Sequence, residues 1–526
     1  MSHEFDAIVV GSGLTGAHAA RELTDAGLTV LLIERGGGKP CPRVDGPHLA
    51  PVRMEDYPIQ KHCYVFEQPG YPHYFVNDSD HPYLFDPDHP FWWIRGYQLG
   101  GRSALWAAQC YRWGEADFEA NGLDGYGCDW PIRYGDIESW YSRVEAMIGL
   151  TGQAEGLKQI PDGVFSESFP LNPGEALLRE RLAKRFSRVL TPSRIAQGPG
   201  QGGACPFCGG RHPGNEPVIY SSINGALPAA LGTGRLQVRT GVVVQSVLYE
   251  ASSGRATGVR ALDTGSGAQT EFRARLIFLC AGTIPTNQIL LNSVSEAFPE
   301  GIGNTSGVLG RYIMDHHWRA GALARFESPG MDMSHGFDRP WGSYLARFRN
   351  LGEGSLPGFL RGYAYQVSTS ALDASGSWSV HLNGIGETLP RASNRIELDR
   401  ENQDRWGLPL VRIHFEYSEN EYEMRRDMQD SAMDMLREAG AQEVIPILDP
   451  SIPGHFMHEM GGARMGRHKE DSFLNEWNQC HQVPNLFVTD GACMTSSACQ
   501  NPTVTYMALT SRACHFAVSN LKQGRL

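Results

Sequence analysis

The feature that most constrains this chain lies at its start. An apolar run of strand length, Phe5–Val10, leads into Gly11-Ser12-Gly13-Leu14-Thr15-Gly16, followed by a helical pattern over Ala17–Ala26. A second apolar run, Leu28–Ile33, ends on Glu34. Strand, glycine turn, helix and strand within about 30 residues, with an acid about 20 residues past the glycines, is the pattern of a dinucleotide-binding βαβ unit. Gly11 permits the tight turn, Gly13 lets backbone approach a pyrophosphate, and Gly16 lets the helix pack close to the strand. The helix start then offers its partial positive charge to the phosphates. Glu34 is placed to accept hydrogen bonds from a ribose. Leu14, Thr15 and Arg35 flank these positions and join them as cofactor-binding candidates. This segment alone does not decide between FAD and NAD.

The length, 526 residues, exceeds what one apolar core organises, so two closely joined domains are expected. With 41% hydrophobic and 20% charged residues, a disordered chain, a collagen-like fibre and a coiled coil are excluded. A net charge of -12, from 46 basic and 58 acidic residues, argues against a nucleic-acid partner. It leaves open a cationic substrate beside the plainer reading of solubility. No apolar run approaches the roughly 20 residues of a membrane span, so no membrane partner is expected. The start has no basic segment before its first strand, so no secretory signal is read there. Eleven scattered cysteines, an odd count, fit reduced thiols and a cytoplasmic location.

Further along, Leu236–Arg239, Val242–Tyr249 and Ala256–Leu262 read as strands, and Leu276–Cys280 as a return strand ending in Ala281-Gly282, before a helix near Pro285. Such a strand completes a nucleotide-binding sheet beside the first βαβ unit, and Val243 and Ala281 become cofactor-binding candidates. Residues 320–415 alternate apolar and polar between turns, which predicts an antiparallel sheet flooring a substrate domain. Glu419–Ala439 reads as one amphipathic helix. A Gly- and Pro-rich run over 196–217 is the candidate loop or lid.

The C-terminal part carries His458-Glu-Met-Gly-Gly-Ala-Arg-Met-Gly466, then Asp490-Gly491-Ala492, then Asn501-Pro502-Thr503 ahead of a helix over Tyr506–Leu521. Asn501 is expected to cap that helix, with Pro502 in its first turn, where its missing N–H costs nothing. A helix start beside a flavin stabilises negative charge near N1 and the C2 carbonyl.

With these motifs assembled, the chain resembles the glucose-methanol-choline (GMC) family of FAD oxidoreductases. The resemblance rests on GSGLTG with Glu34, RGYQLGGRSALWAAQ, GNTSGVLGRYIMDH, and the HEMGGARMG, TDGA and NPT motifs, spanning nearly the whole length. Within the family it is similar to the branch of pyranose oxidase and the bacterial glycoside 3-dehydrogenases (3-oxidases). It implies an α/β fold: a Rossmann-like FAD-binding domain with an α+β substrate domain built on an antiparallel sheet. The FAD domain would comprise residues 1–50, 90–115, 218–318 and 455–526. Residues 51–89, 116–217 and 319–454 would form the substrate domain and lid.

The resemblance assigns His458 as base and Asn501 as its partner. Alcohol oxidation needs both, since a neutral histidine takes the hydroxyl proton and an amide orients the oxygen. It adds Gly100, Gly101, Ser103, Leu105, Trp106, Ala107, Asp490, Gly491, Asn501, Pro502 and Thr503 to the FAD-binding candidates. The implied reaction is oxidation of a secondary hydroxyl of a sugar or glycoside to a ketone, with electrons passing to dioxygen or a mediator. A redox-neutral lyase and a subunit of a multi-subunit sugar dehydrogenase are the alternatives. A homo-oligomer stays open.

Two departures matter. Pyranose oxidase links flavin to a histidine in this glycine-rich segment, and here Leu105 stands at that position, so non-covalent FAD is expected. Sugar dehydrogenases of several subunits hold iron–sulfur on a mid-chain cysteine cluster. This chain has Cys205-Pro-Phe-Cys208 there, with His212 as a third potential ligand, too few for a cluster, and no metal site is assigned. The Tyr57–Trp93 stretch, with Trp92-Trp93, offers aromatic faces for sugar rings or for packing between domains. The role of His455 is open, while His316 and His317 read as structural, with a site at the domain junction as the alternative.

Overall fold

The computed structural model describes residues 4–37, 52–67, 71–197, 219–328, 332, 342–352, 358–372 and 376–526. Cys205, Cys208, His212 and most of the glycine-rich run lie outside them. Strands and helices below are numbered in chain order.

The first sheet has seven strands: β1 (Phe5–Val10), β2 (Val30–Glu34), β5 (Leu236–Thr240), β6 (Val242–Glu250), β7 (Arg255–Asp263), β8 (Gln269–Leu279) and β18 (Leu486–Val488). β5, β2, β1, β8 and β18 run parallel, and the β6–β7 hairpin continues the sheet antiparallel from the first half of β8. Helices cover both faces, so the buried part of β1, Ala7–Val10, is apolar at every position without alternation. α1 (Leu14–Asp25) begins three residues earlier than its pattern, because the glycine turn itself joins the helix. In register, Val10 lies between Ile33 and Leu279, so the carboxyl ends of β1, β2 and β8 share one edge. That edge is where open α/β sheets bind ligands.

The second sheet, β16–β10–β13–β12–β11–β4, is antiparallel: β4 (Leu190–Pro192), β10 (His317–Glu327), β11 (Ser343–Leu345), β12 (Tyr363–Ala371), β13 (Ser377–Gly386) and β16 (Glu443–Leu448). One face is sealed by α7 (Glu419–Glu438) and α4 (Pro173–Phe186) around Trp378, Leu382, Met424 and Met428. The face away from α7 carries Ala364 and Gln366, since side chains alternate along β12. A bulge between His317 and Ala320, with Arg319 at φ 62°, interrupts the start of β10. Bulges re-aim side chains beside binding sites.

The single antiparallel sheet expected over residues 320–415 divides in two. β14 (Arg395–Gln403) and β15 (Pro409–His414) join β3 (Leu84–Phe85), β9 (Arg311–Met314) and β17 (Met460–Gly462) in a third, five-stranded sheet. Alternation reports which face of a strand is buried and carries no information on which strand it pairs with. α2 (Glu115–Asp124) and α3 (Tyr134–Ile148) follow the second glycine turn, Gly100-Gly101. Their Phe118, Ile137 and Tyr141 pack in the same apolar cluster as Ile8 of β1 and Val504 of α8 (Thr503–Lys522). Trp113 and Trp130 meet there nearly edge to face, a contact whose loss to alanine costs about 3–5 kcal/mol per ring. α5 (Ala226–Gly232) packs on α1, and α6 (Thr283–Asn292) follows β8. Among the described residues no helix is long and apolar enough to cross a membrane.

Candidate active site

A cavity of about 420 Å3 opens at the carboxyl edge of the first sheet, within the range of small-molecule sites. Gly11 holds φ 97°, and a Cβ there would lie 2.4 Å from the Cys280 carbonyl oxygen. Gly16 does not line the cavity; its Cβ would lie 1.9 Å from the Gly11 oxygen, so it lets α1 close on its own glycine turn. Gly13 has nothing within 4 Å of its missing Cβ and faces open space. Opposite stands the second glycine turn, where a Cβ on Gly101 would approach Gly13 Cα to 3.4 Å. Gly100 shapes this turn from behind, and Ser12 ties the two together by accepting the Gly100 N–H at 2.8 Å.

Leu14, Thr15, Glu34, Arg35, Ser103, Leu105, Trp106, Ala107, Val243, Ala281, Asp490, Gly491, Pro502, Thr503, His458 and Asn501 all line the cavity, from segments spread along the chain. The Glu34 carboxylate accepts the Ser12 N–H at 3.0 Å, the Ser12 hydroxyl at 2.5 Å and the Gly36 N–H at 2.7 Å. Burial raises its pKa against these bonds. Asp490 joins two elements, accepting the Gly282 N–H at 2.9 Å and the Thr286 hydroxyl at 2.6 Å, and burial pushes its pKa up to about 6.

Three helices start on this cavity. α1, α6 and α8 begin at Gly13, Gly282 and Pro502, and none has a side-chain cap or an acid in its first turn. The first residues of all three line the cavity, and helix starts are suited to anionic groups. The Tyr506 hydroxyl, buried and without a partner, lies on the same wall. Together with the open face of Gly13, these groups fit a dinucleotide with a pyrophosphate and a reducible ring.

Asn501 departs from expectation. α8 takes helical geometry at Pro502, which occupies the cap position, so Asn501 does not cap it. The Asn501 side chain makes no hydrogen bond to any described residue and borders the cavity. Its neighbour Gln500 is the residue pinned to the protein, through Asp117 and the Gln159 carbonyl.

His458 sits at the end of a loop held by a residue that the sequence reading passed over. The Asp315 carboxylate accepts the backbone N–H of Gly454 at 2.8 Å and of His458 at 3.0 Å. Burial, then the charge of Glu459, pushes the Asp315 pKa up to about 8. Met457 between them is held at φ 65°, a conformation the anchored loop imposes. Arg102 and Glu459 form a two-pronged ion pair at 3.0 and 2.6 Å.

His316, for which a structural role and a site at the domain junction were both expected, lies against His458. Its Nδ1 lies 2.9 Å from His458 Nδ1, and its Nε2 lies 3.2 Å from the Ser497 carbonyl oxygen. Burial lowers its pKa to about 4, so it is neutral and carries one ring proton. A carbonyl only accepts, which places that proton on Nε2. His316 Nδ1 is therefore an acceptor, and the proton between the rings belongs to His458 Nδ1. His458 Nε2 is left with its lone pair. Burial, and then His316 and Arg102, hold His458 well below the ordinary histidine range. His317, next in sequence, is a core residue whose pKa burial holds well below the ordinary histidine range.

In the aromatic stretch both tryptophans are packed against protein side chains, and Trp93 also lines the cavity. Trp93 carries Arg95 over its ring at 4.1 Å, and Trp92 stacks on His62 at 4.0 Å. His455 donates its Nε2–H to the His62 carbonyl oxygen at 2.9 Å and completes this wall. The aromatic faces beside His458 are Phe456, 4.7 Å away, and Trp318, whose ring lies 5.4 Å from Phe456. The bulge in β10 sets Trp318 on the cavity.

Comparison with known proteins decides the family. Models of the GMC oxidoreductase family match residues 5–317 and 390–510. The chain belongs to this family. It is therefore an FAD-dependent oxidoreductase acting on CH–OH groups. It is 29% identical to 2-methyl-1,2-propanediol dehydrogenase of Mycolicibacterium austroafricanum, over 97% of this chain and 94% of that one. It is 24% identical to C-glycoside 3-oxidase of Arthrobacter globiformis, over 99% and 96%. Pyridoxine 4-oxidase from Mesorbium loti shares the fold, with a TM-score of 0.63 and 18% identity over 97% and 98% of the chains.

Proposed function

We propose that the protein oxidises a secondary hydroxyl of a sugar or glycoside to a ketone, with His458 as base, Asn501 as orienting amide, and electrons passing to dioxygen or a soluble mediator. The observation that carries this reading is the chain Ser497 carbonyl, His316, His458, which leaves an unprotonated Nε2 on a residue that lines the cavity together with Asn501. FAD, when bound, supplies the hydride acceptor at flavin N5. His458 Nε2 takes the hydroxyl proton while the Asn501 amide donates to the same oxygen as negative charge develops. His316 keeps the lone pair on Nε2, and Asp315 holds the backbone that positions the ring. Phe456 and Trp318 limit water around the reacting carbon. A C-glycoside 3-oxidase among the relatives supports the substrate class.

Anaerobic mixing with a panel of glycosides, sugars and polyols tests this reading, with flavin bleaching as the readout. If none reduces the FAD, a redox-neutral lyase replaces it; turnover with mediators but never with air would favour a dehydrogenase subunit. Leu105 lines the cavity and cannot form a flavin bond, so acid denaturation is expected to release all FAD into the supernatant. A yellow pellet would contradict non-covalent binding.

The histidine pair predicts a pH profile. Because burial depresses the His458 pKa, the base stays unprotonated as pH falls through 6.5. The acid limb of kcat/KM for flavin reduction should therefore lie below that of an ordinary histidine. In His316→Gln the amide can still donate to Ser497 and accept from His458 Nδ1, so activity should stay within about 10-fold. His316→Leu removes the acceptor, and a loss of about 10²-fold with a displaced acid limb is expected. Equal activity in both variants would remove His316 from the mechanism.

A further inference from the structure

The cavity has a second polar feature that hydride transfer does not use. Gln109 and Gln366 both line it, and Gln366 Nε2 lies 3.3 Å from Gln109 Oε1. The same Gln109 atom accepts the buried Tyr111 hydroxyl at 2.9 Å, and Tyr111 is itself fixed by stacking on Tyr344 at 4.0 Å. The inner ends of the two amides are thus committed to each other and to the protein. Their remaining atoms, one NH₂ and one carbonyl oxygen, have no protein partner and are not sealed from the cavity. Exchanging O and N in both amides still leaves one donor and one acceptor facing outward.

The pair stands on the side of Asn501. Cys499, two residues before it, packs in one small cluster with Tyr111, Tyr344 and Ala364, and Ala364 shares a face of β12 with Gln366. Among the described cavity-lining residues, the charged side chains are already engaged: Glu34 by Ser12 and Gly36, Arg35 by Asp404, Arg95 by the His81 carbonyl, Arg102 by Glu459, and Asp490 by Gly282 and Thr286. Uncharged polar groups, these two amides among them, are what remain to read a substrate. A hydroxyl both donates and accepts, and so matches a paired acceptor and donor with no charge left over.

We propose that Gln109 and Gln366 form a hydroxyl-reading subsite that selects neutral substrates carrying a second hydroxyl beside the one oxidised. This rests on the oxidation reading above and deepens it: His458 addresses one oxygen of a vicinal diol, and the amide pair holds the other. Gln366 reads the hydroxyl, and Gln109, held by Tyr111, orients Gln366 and supplies the second contact.

Cyclohexanol and trans-1,2-cyclohexanediol test it in the holoenzyme, since they differ by that one hydroxyl. The parent protein should prefer the diol in kcat/KM for anaerobic flavin reduction. In Gln366→Leu the diol-to-monoalcohol ratio should fall about 10- to 100-fold, the cost of an unpaired hydroxyl in a closed site. Gln109→Leu should move the ratio the same way; its unfolding temperature is checked because it strands the Tyr111 hydroxyl. An unchanged ratio in Gln366→Leu, or no diol preference in the parent, overturns the subsite. Dissociation constants from perturbation of the flavin spectrum separate the two readings. A diol that binds with a Gln366-dependent advantage but never reduces flavin leaves the subsite standing and overturns oxidation. Flavin reduction by both alcohols with a ratio indifferent to Gln366 does the reverse.

Discussion

Replacing His458 with alanine is expected to slow substrate-driven flavin reduction by about 10²–10⁴-fold, the worth of a positioned general base, while FAD content stays at that of the parent. The separation of the two effects follows from geometry. The FAD-binding candidates at Gly13, Glu34, Asp490 and Thr503 come from elements that do not include the 454–458 loop. Deleting the imidazole leaves Asp315 still holding the backbone N–H of residue 458 and of Gly454, so the loop keeps its course. Stopped-flow absorbance and the flavin-to-protein ratio of the purified variant measure both quantities. Loss of the yellow colour would make His458 part of the cofactor scaffold; full reduction rates would move the base elsewhere.

The second large effect should come from the glycine turn, where two neighbouring glycines are expected to fail in different ways. In Gly13→Ala the new methyl meets no protein atom within 4 Å and the backbone at φ -62° accepts alanine. The fold should survive with an unchanged unfolding temperature for the apoprotein. FAD affinity should nevertheless fall by a large factor, because the methyl projects where the pyrophosphate must approach α1. In Gly11→Ala the methyl lies 2.4 Å from the Cys280 carbonyl oxygen and 2.8 Å from Ala281 Cα, with φ at 97°. Backbone must move, at about 1–3 kcal/mol for the overpacking and about 1–2 kcal/mol for the left-handed conformation. Both FAD content and apoprotein stability should fall. Calorimetry of the two apoproteins beside FAD titration checks the pair. Full FAD stoichiometry in Gly13→Ala would contradict the placement of the phosphates.

Much of the first sheet was readable in the chain, because a strand covered on both faces is written as an unbroken apolar run and a glycine turn is written in glycines. β1, β5, β6, β7 and α7 fall where their patterns predict. The division of residues 320–415 between two sheets was not readable. Arg395–Leu398 and Ser379–Leu382 alternate alike, and only packing assigns β14 beside β9 and β13 beside β12. Asn501 before Pro502 carries the signature of a helix cap, yet Pro502 itself enters the helical region and frees the amide. His316 is buried as a core histidine is, and its contact with His458, 142 residues away, was not readable in the chain. Trp92 and Trp93 left open sugar stacking or packing between domains, and only the fold sets them against His62 and Arg95.

By itself the sequence determined the dinucleotide turn, the acid that follows it, and the residue types that alcohol oxidation needs, since these are local: each depends on backbone freedom or side-chain chemistry within a few positions. The tertiary structure alone decided what those groups can do. Three uncapped helix starts, far apart in the chain, face one cavity because the strands before them end on one edge. The basic nitrogen of His458 is set by a carbonyl that acts through a second histidine. A proton's position on a ring depends on what the other nitrogen touches, and that contact is made by folding.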